Sequence, residues 1–372
     1  MRHPFLIFLY SITNCLIFNI LFDFNRLRVY NIVSIIFGAL MKTVYPDYYD
    51  KFKCSASECT DTCCVGWEIT VDSDSRLKYS HVVGDFGERL RRKMQTQNDG
   101  TVVFTLKDSR CPFLDSVGLC DIYSQLGEDY LCHTCRMFPR FVETFGATRE
   151  YGIGLACPEA AKIIVNRPPS RAAFVSKMTD EPAEPNEIIP ELYILLVSMR
   201  QKLFDLLCDE RYSFDKRLII MLKYTAEVQR LIDDGKYSAA VKLNYNDFDS
   251  SGSLAKPQEF KELLLSLECL NKEWHIMLSE RESFNCDMTE NSAVLKNIAD
   301  YFIYRYFLKA VYDGDIVSKS GLCAFACIVI NGISRGNDIA DCARTFSKEV
   351  EYSDLNISDV LKQMKNFKIL RG

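Results

Sequence analysis

Cysteine is the residue type in this chain with the most obvious capacity for chemistry. Nine of the sixteen cysteines fall between Cys54 and Cys157. The first block is Cys54-x4-Cys59-x3-Cys63-Cys64. The second runs from Cys111-Pro-Phe-Leu to Cys120-Asp-Ile-Tyr. The third is Cys132-His-Thr-Cys135, followed by Arg136 and Phe138-Pro139-Arg140, and the last is Cys157-Pro158-Glu159. Soft thiolates gathered in this way suit zinc or an iron–sulfur cluster. A CxxC pair bites one metal because its thiolates converge on a tight turn. Adjacent Cys63 and Cys64 cannot easily close as one unstrained disulfide, but can serve two metals or two edges of one cluster. Disulfide scaffolds are short chains that compensate for a small core, whereas this one has 372 residues, 48% of them hydrophobic. The expectation is therefore a metal-binding cysteine cluster in a reducing compartment. Cys208, Cys269, Cys323, Cys327 and Cys342 lie in apolar helical patterns and read as small core residues.

The spacing leaves the metal open. Structural zinc sites favour two CxxC-type pairs, and only Cys132/Cys135 has that spacing. Irregular cysteines fit a four-thiolate iron–sulfur cluster at least as well. Cys59-x3-Cys63 begins the CxxxCxxC pattern of radical S-adenosylmethionine enzymes, but Gly66 stands where the third cysteine would be, so radical chemistry is not expected. The four histidines, His3, His81, His133 and His275, are scattered; only His133, inside the CxxC block, is placed to tune a metal. There is no HExxH, GxSxG or P-loop.

The elements that must position these residues differ between the two halves. In 41–165, short apolar pieces alternate with polar turns. Trp67–Val71 and Thr101–Leu106 alternate like strands of a small hairpin, and Arg76 to Gln95 reads as a helix whose basic run, Arg89, Arg91, Arg92 and Lys93, is a solvated face, with substrate docking as the alternative role. Residues 166–190 hold Pro168, Pro169, Pro182, Pro185 and Pro190 and read as a linker or surface loop. From 191 onward the spacing is helical: Pro190 to Cys208, Arg217 to Ile232, Pro257 to Trp274, Ser292 to Tyr312, a nearly all-apolar Ser318 to Ile333, Ile339 to Glu351 and Asp354 to Phe367. The expected fold class is mainly α, with a cysteine-rich metal-binding N-terminal region containing little β and an all-helical C-terminal domain at 191–372.

Residues 1–40 form an apolar extension of different character. Pro4 to Phe22 is long enough to span a bilayer, though Ser11, Thr13, Asn14 and Asn19 interrupt it. A membrane anchor through residues 5–22 and a secretory signal both compete with a misassigned start. No small-x-small cleavage site follows the apolar run. MKTVYPDYYDKFKC reads as a natural beginning at Met41, and the residues before it are those of translated AT-rich DNA. The misassigned start is the favoured reading, and with it a cytoplasmic protein; membrane contact is expected only if residues 1–40 are genuine. The formal net charge of -5 argues against a nucleic-acid binder.

The same cysteine segments carry a resemblance. FKCSASECTDTCCVGW, CPFLDSVGLCDIY, LCHTCRMFPRF and ACPEAAKI are similar to the flagellin lysine-N-methylase family, and in part to the broader YkgJ-like cysteine-cluster proteins, which are thought to chelate zinc or iron. DYFIYRYFLKAVYDGD and EVEYSDLNISDVL continue the likeness through the helical half. The resemblance covers Val44 to the C-terminus. Cys54, Cys59, Cys63, Cys64, Cys111, Cys120, Cys135 and Cys157 stand where the family places cysteines and are the candidate metal ligands; Cys132 is an extra, and Tyr352 stands where a histidine is expected. The resemblance implies methyl transfer from S-adenosylmethionine to flagellin lysines, with a cysteine-ligated centre, most readily [4Fe-4S], alternatively zinc. A non-catalytic iron- or zinc-binding protein is the main competing function, and a membrane-anchored redox protein is a third, which requires residues 1–40 to be genuine. Methyl transfer needs a neutral amine, whereas free lysine titrates near ~10.4, so a carboxylate or tyrosine in an aromatic setting is wanted. Tyr301, Tyr304 and Tyr306 are candidates on one helix. Gly152-Ile-Gly154 and Asn331-Gly332 lack the strand–turn–helix context of a common methyltransferase cofactor loop.

Overall fold

A computed structural model describes residues 40–55, 58–59, 61–65, 68–108, 110–183, 188–366 and 369–371. The readings made for residues 1–39 lie outside the described residues. Strand β1 (Leu40–Pro46) opens the described chain. The cysteine-rich part then contains α1 (Ser73–Ser80), α2 (Gly84–Arg92), β2 (Met94–Thr96), β3 (Val102–Phe104), α3 (Asp121–Leu126) and α4 (His133–Met137). Next come β4 (Arg140–Phe145), β5 (Thr148–Ile153), α5 (Pro158–Val165) and β6 (Phe174–Pro182). The helical half comprises α6 (Pro190–Leu207), α7 (Phe214–Asp233), α8 (Tyr237–Lys242), β7 (Ser253–Leu254), α9 (Lys261–Ser266), α10 (Lys272–Glu280), α11 (Ser292–Tyr306), α12 (Ala310–Asp313), α13 (Ile316–Ile333), α14 (Ile339–Val350), α15 (Asp354–Asn366) and β8 (Leu370–Arg371).

The fold is mainly α. Helix α13 is its axis: every residue except Val317 is buried, as an all-round apolar helix requires. It packs against α7, α11, α14 and α15. Asp315 caps it by accepting from Ser318 N at 3.0 Å, and Asp338 caps α14 through Ala340 N and Asp341 N. Among the described residues α13 is the one helix long and apolar enough to cross a membrane, and it lies in the core.

The N-terminal part holds more β structure than its sequence suggested. A four-stranded mixed sheet has the order β4-β5-β1-β6. β1 runs parallel to β5, with Val44 opposite Glu150, and antiparallel to β6, with Val44 opposite Ser176. Residues 174–182, inside the stretch read as a linker, are thus an edge strand whose side chains are mostly exposed. Strand β3 is present, but its hairpin partner is β2. Ile69–Val71 flanks β3 on the other side through Val71 N–Val102 O at 2.8 Å and Phe104 N–Ile69 O at 3.0 Å. The helix expected from Arg76 to Gln95 is two helices and a strand. In the helical half, Pro257 to Trp274 is a 3₁₀ turn, α9 and the start of α10 rather than one helix. The all-helical expectation is corrected by a two-residue ladder of β7 with β8.

Candidate functional site

The cysteine-rich part has its own small core of Ile69, Val71, Tyr79, Leu90, Phe104, Phe113 and Ile122, together with cysteines. Local backbone contacts bring the cysteines together. Cys111 N donates to Cys64 O at 2.8 Å, which aligns the second block with the first. Asp115 Oδ1 accepts from Val117 N and Leu119 N, closing a turn that returns Cys120 beside Leu114. Cys132 precedes α4 and Cys135 lies within it. Asp72 caps α1 through Ser75 N and also accepts from His133 N at 2.7 Å, so one carboxylate ties α1 to the CxxC turn. The basic run contributes to this scaffold. Arg89 pairs with Asp121 at 2.6 Å and lies 5.1 Å over the Phe113 ring, and Arg91 donates to Tyr79 O and Val82 O. Arg92 is exposed.

The candidate ligands fall into two groups. Cys63, Cys64, Cys111, Cys120 and Cys135 pack around one small core, and Cys132, 1% exposed, is among them rather than apart. The Cys63 and Cys64 sulfurs are 4.0 Å apart. Cys64 is pushed up to about 12 by its hydrogen bond with Cys111, and the bond between Cys132 and Cys135 lowers Cys132 while raising Cys135. Cys157 forms the second group, within electrostatic reach of Cys59 and Cys54; burial, then those thiols, raise it to about 11. No disulfide forms among the described cysteines. The donor type suits a soft metal. Among the described residues, however, no three Cys, His, Asp or Glu side chains converge as a metal site. His133 is exposed and engaged through its backbone, His81 is an exposed helix end, and His275 meets Leu265 O at 2.9 Å.

An ion cluster docks the first cysteine block on the helical half. Lys348 Nζ lies 2.9 Å from Asp61 Oδ2 and donates to Thr62 O at 3.3 Å, and Arg344 also pairs with Asp61. Burial opposes the Asp61 charge, but the Lys348 hydrogen bond and the two cations outweigh it and hold its carboxyl below the usual range. Helix α5, begun by Cys157, packs against α14 and α11. Both thiol groups are thus attached to α14 or its neighbours.

Between the halves lies a buried polar centre. Glu351 Oε2 accepts from Tyr301 Oη at 2.9 Å and Tyr306 Oη at 2.8 Å, and sits 3.1 Å from Arg305 Nη1. The Arg305 guanidinium is ringed by Phe141, Tyr301, Tyr306 and Tyr352, with centroids 4.7 to 5.8 Å away. Gly154 forms the wall: a Cβ there would lie 2.8 Å from Tyr352 Oη and 3.1 Å from Arg305 Nη1. Burial, and secondarily the neighbouring carboxylate, raise Tyr301 and Tyr306 well above the ordinary phenol. The centre therefore holds a cation, but that cation is the chain's own and the site is closed. Tyr304 instead donates to Tyr151 O at 2.8 Å and stacks on Phe174. Arg200–Glu150 and the Arg167–Asp300–Lys296 group are further buried ion pairs across the same boundary.

The glycine pairs serve packing. Gly152 faces the Phe141 ring, and Gly332 lets Pro257 approach, where a Cβ would meet it at 2.5 Å. Neither begins a phosphate- or nucleoside-binding loop, and the mixed sheet is not a doubly wound one. Sequence reasoning missed Asp61, Arg305 and Glu351. The segment EVEYSDLN, which contains Glu351 and Tyr352, was the available signal.

A helical protein with a thiol-rich lobe docked on its core, and without a dinucleotide-type sheet, is the class these features define. Residues 200–371 match the FliB lysine N-methylase C-terminal domain. A lysine-N-methylase of Salmonella typhimurium is 28% identical over 202 residues, covering 51% of this chain and 48% of that protein. The flagellar biosynthetic protein FliU of Salmonella muenchen is 32% identical over 133 residues, 34% of this chain and 79% of that protein. The chain belongs to the FliB lysine N-methylase family. It spans about half the length of the lysine-N-methylases it matches. No solved structure matches it.

Proposed function

We propose that this protein is a protein-lysine N-methyltransferase that moves methyl groups from S-adenosylmethionine to lysines of flagellin, in the cytoplasm. The observation that carries this reading is the family relationship, which reaches through the helical half as the C-terminal domain match at 200–371. Flagellin as the substrate draws on the flagellar name of the FliU relative. The cysteine-rich lobe is proposed to hold an iron–sulfur centre, drawn from the group of Cys63, Cys64, Cys111, Cys120, Cys132 and Cys135, with zinc as the other soft-metal occupant. The buried position of Cys64, Cys111 and Cys132 and the half-buried position of the other three support this, because a metal would compensate their desolvation as bound thiolates.

The reaction asks three things of the chain: a bound methyl donor, an amine without its proton, and a route by which a lysine on another protein can reach the sulfonium. The third requirement excludes the closed Glu351 centre as the meeting point and favours a surface cleft. The test is the mass of flagellin from a strain lacking this protein. Loss of methyl-lysine is expected; flagellin of unchanged mass would sink the proposal. Anaerobic purification with iron, sulfide and zinc analysis addresses the metal separately. Stoichiometric zinc without iron, together with unaltered flagellin, would leave the non-catalytic metal-binding function as the account of the chain.

A further inference from the structure

The cleft in question lies where the end of α13 meets the start of α14. It has a volume of about 430 Å³ and is lined by Phe284, Glu290, Asn291, Arg335, Asn337 and Ile339, among others. That volume is within the range of small-molecule sites, roughly 300–1,000 Å³. Its floor is built with care. Asn331 is fully buried and donates to Asn285 O and Asp287 O, both at 3.0 Å, while its Oδ1 accepts from Asn291 Nδ2 at 2.8 Å. Ser334 Oγ accepts from the same Asn291 amide at 3.3 Å. Asn285 N donates to Gly332 O at 3.0 Å, and the missing Cβ of Gly332 lets Phe284 and Pro257 close on the helix. The loop 284–291 is therefore fixed against α13 by buried side chains.

The wall, in contrast, carries unsatisfied polar capacity. The Glu290 carboxylate has no partner among the described residues. Arg335 gives one bond, from Nη1 to Ser283 Oγ at 2.8 Å, and keeps its other donors. Asn337 uses its Nδ2 on Ile333 O at 3.0 Å, which leaves its Oδ1 as an acceptor. We propose that this cleft binds the methyl donor, S-adenosylmethionine. The Phe284 ring and Ile339 offer the base an apolar face, and the Asn337 oxygen takes its exocyclic amine. Glu290 accepts the two ribose hydroxyls, and Arg335 pairs with the carboxylate of the amino-acid end. The openness of the cleft gives a lysine from a protein surface access to the sulfonium.

Position supports the assignment. All lining residues lie inside the matched 200–371 region. Ile339 is the first residue of α14, and Arg344 and Lys348, which hold Asp61 of the cysteine block, follow about 8 and 14 Å along the same helix. The donor site and the thiol lobe thus share one rigid element.

This inference rests on the methyl-transfer reading, and the experiment separates the two. Titration calorimetry of the full chain, purified anaerobically, with S-adenosylmethionine should show one site. Glu290→Ala and Arg335→Ala, both at exposed positions, should each weaken binding by about 10- to 100-fold, the range of a lost charge-assisted hydrogen bond, with melting temperature and metal content unchanged. Adenosine alone should compete, and lose affinity in Glu290→Ala but not in Arg335→Ala. Wild-type binding left intact in both variants would overturn the cleft while leaving the methyl-transfer reading in place. A wild-type protein that does not bind S-adenosylmethionine would overturn both.

Discussion

Arg305 and Glu351 form an ion pair at 3.1 Å in which the carboxylate has no exposed surface and the guanidinium is enclosed by four aromatic rings. Two phenols complete the Oε2 side, and Oε1 has no donor. Removing one member of such a pair strands a buried charge, whereas replacing both with apolar groups can be close to neutral. Glu351→Ala should therefore destabilise the protein by about 3–5 kcal/mol, and Arg305→Met combined with Glu351→Leu should recover most of that loss. Urea unfolding of the three proteins checks this. A single variant costing less than about 1 kcal/mol, the level of an exposed pair, would show that the centre is solvated.

Asp61 joins Arg344 and Lys348 across 283 and 287 residues of chain. Its side chain is 22% exposed, so the cluster should add little to global stability. Its effect is local, holding the cysteine block on α14. Asp61→Ala should leave the melting temperature within a few degrees of wild type, yet increase the rate of protease cleavage between residues 54 and 65 severalfold. Equal cleavage rates would mean that other contacts fix the block.

The two thiol groups make different demands on metal retention. Six cysteines pack in one small core, and two, Cys54 and Cys59, lie within electrostatic reach of Cys157. If the metal belongs to the larger group, Cys64→Ser and Cys135→Ser should each remove most bound metal, and Cys54→Ser should retain most of it. Cys132→Ser should behave like Cys135→Ser, although family spacing alone sets Cys132 aside. Metal analysis after anaerobic purification decides. The reverse pattern would transfer the ligand set to Cys54, Cys59 and Cys157.

How far the sequence could be read depends on how local each interaction is. Helices α6 and α13 were visible because their apolar faces repeat at helical spacing. Strand β6 was not, because an edge strand with most side chains in water carries no alternating signal and its prolines suggest a loop. The expected helix through 257–274 is interrupted because the chain turns extended at Leu267 and Asn271 begins a new helix by accepting from Glu273 N. The thiol concentration was plain, but its division into two groups depends on pairings such as Cys64 with Cys111, set by the fold. The Glu351 centre was invisible for the same reason: Tyr301 and Glu351 are 50 residues apart. The cleft at Glu290 and Arg335 has no motif of its own and emerges only when the ends of α13 and α14 are placed together.

Glu349, two residues from the ion-pair carboxylate, gives the chain a pH dependence. Burial raises it to about 7, and the backbone N–H groups of Leu270 and Asn271 only partly offset that. Leu270 N lies 3.1 Å from Glu349 Oε2. The ordinary glutamate value is 4.5. Between these values the folded chain keeps a proton that the unfolded chain has released. The folded state binds more protons in this window, so stability falls as pH rises from about 4.5 to about 7. Below the window both states are protonated and this contribution is fully present; above it the contribution is lost. Glu349→Gln keeps an acceptor for the Leu270 N–H without a charge, and its melting temperature should change less than that of wild type across the window. The difference between the two melting curves, measured from pH 4.5 to 8 in one buffer series, isolates this group from the other carboxylates. Parallel curves would show that Glu349 titrates as a solvated side chain and that its burial beneath the start of α10 is relieved in solution.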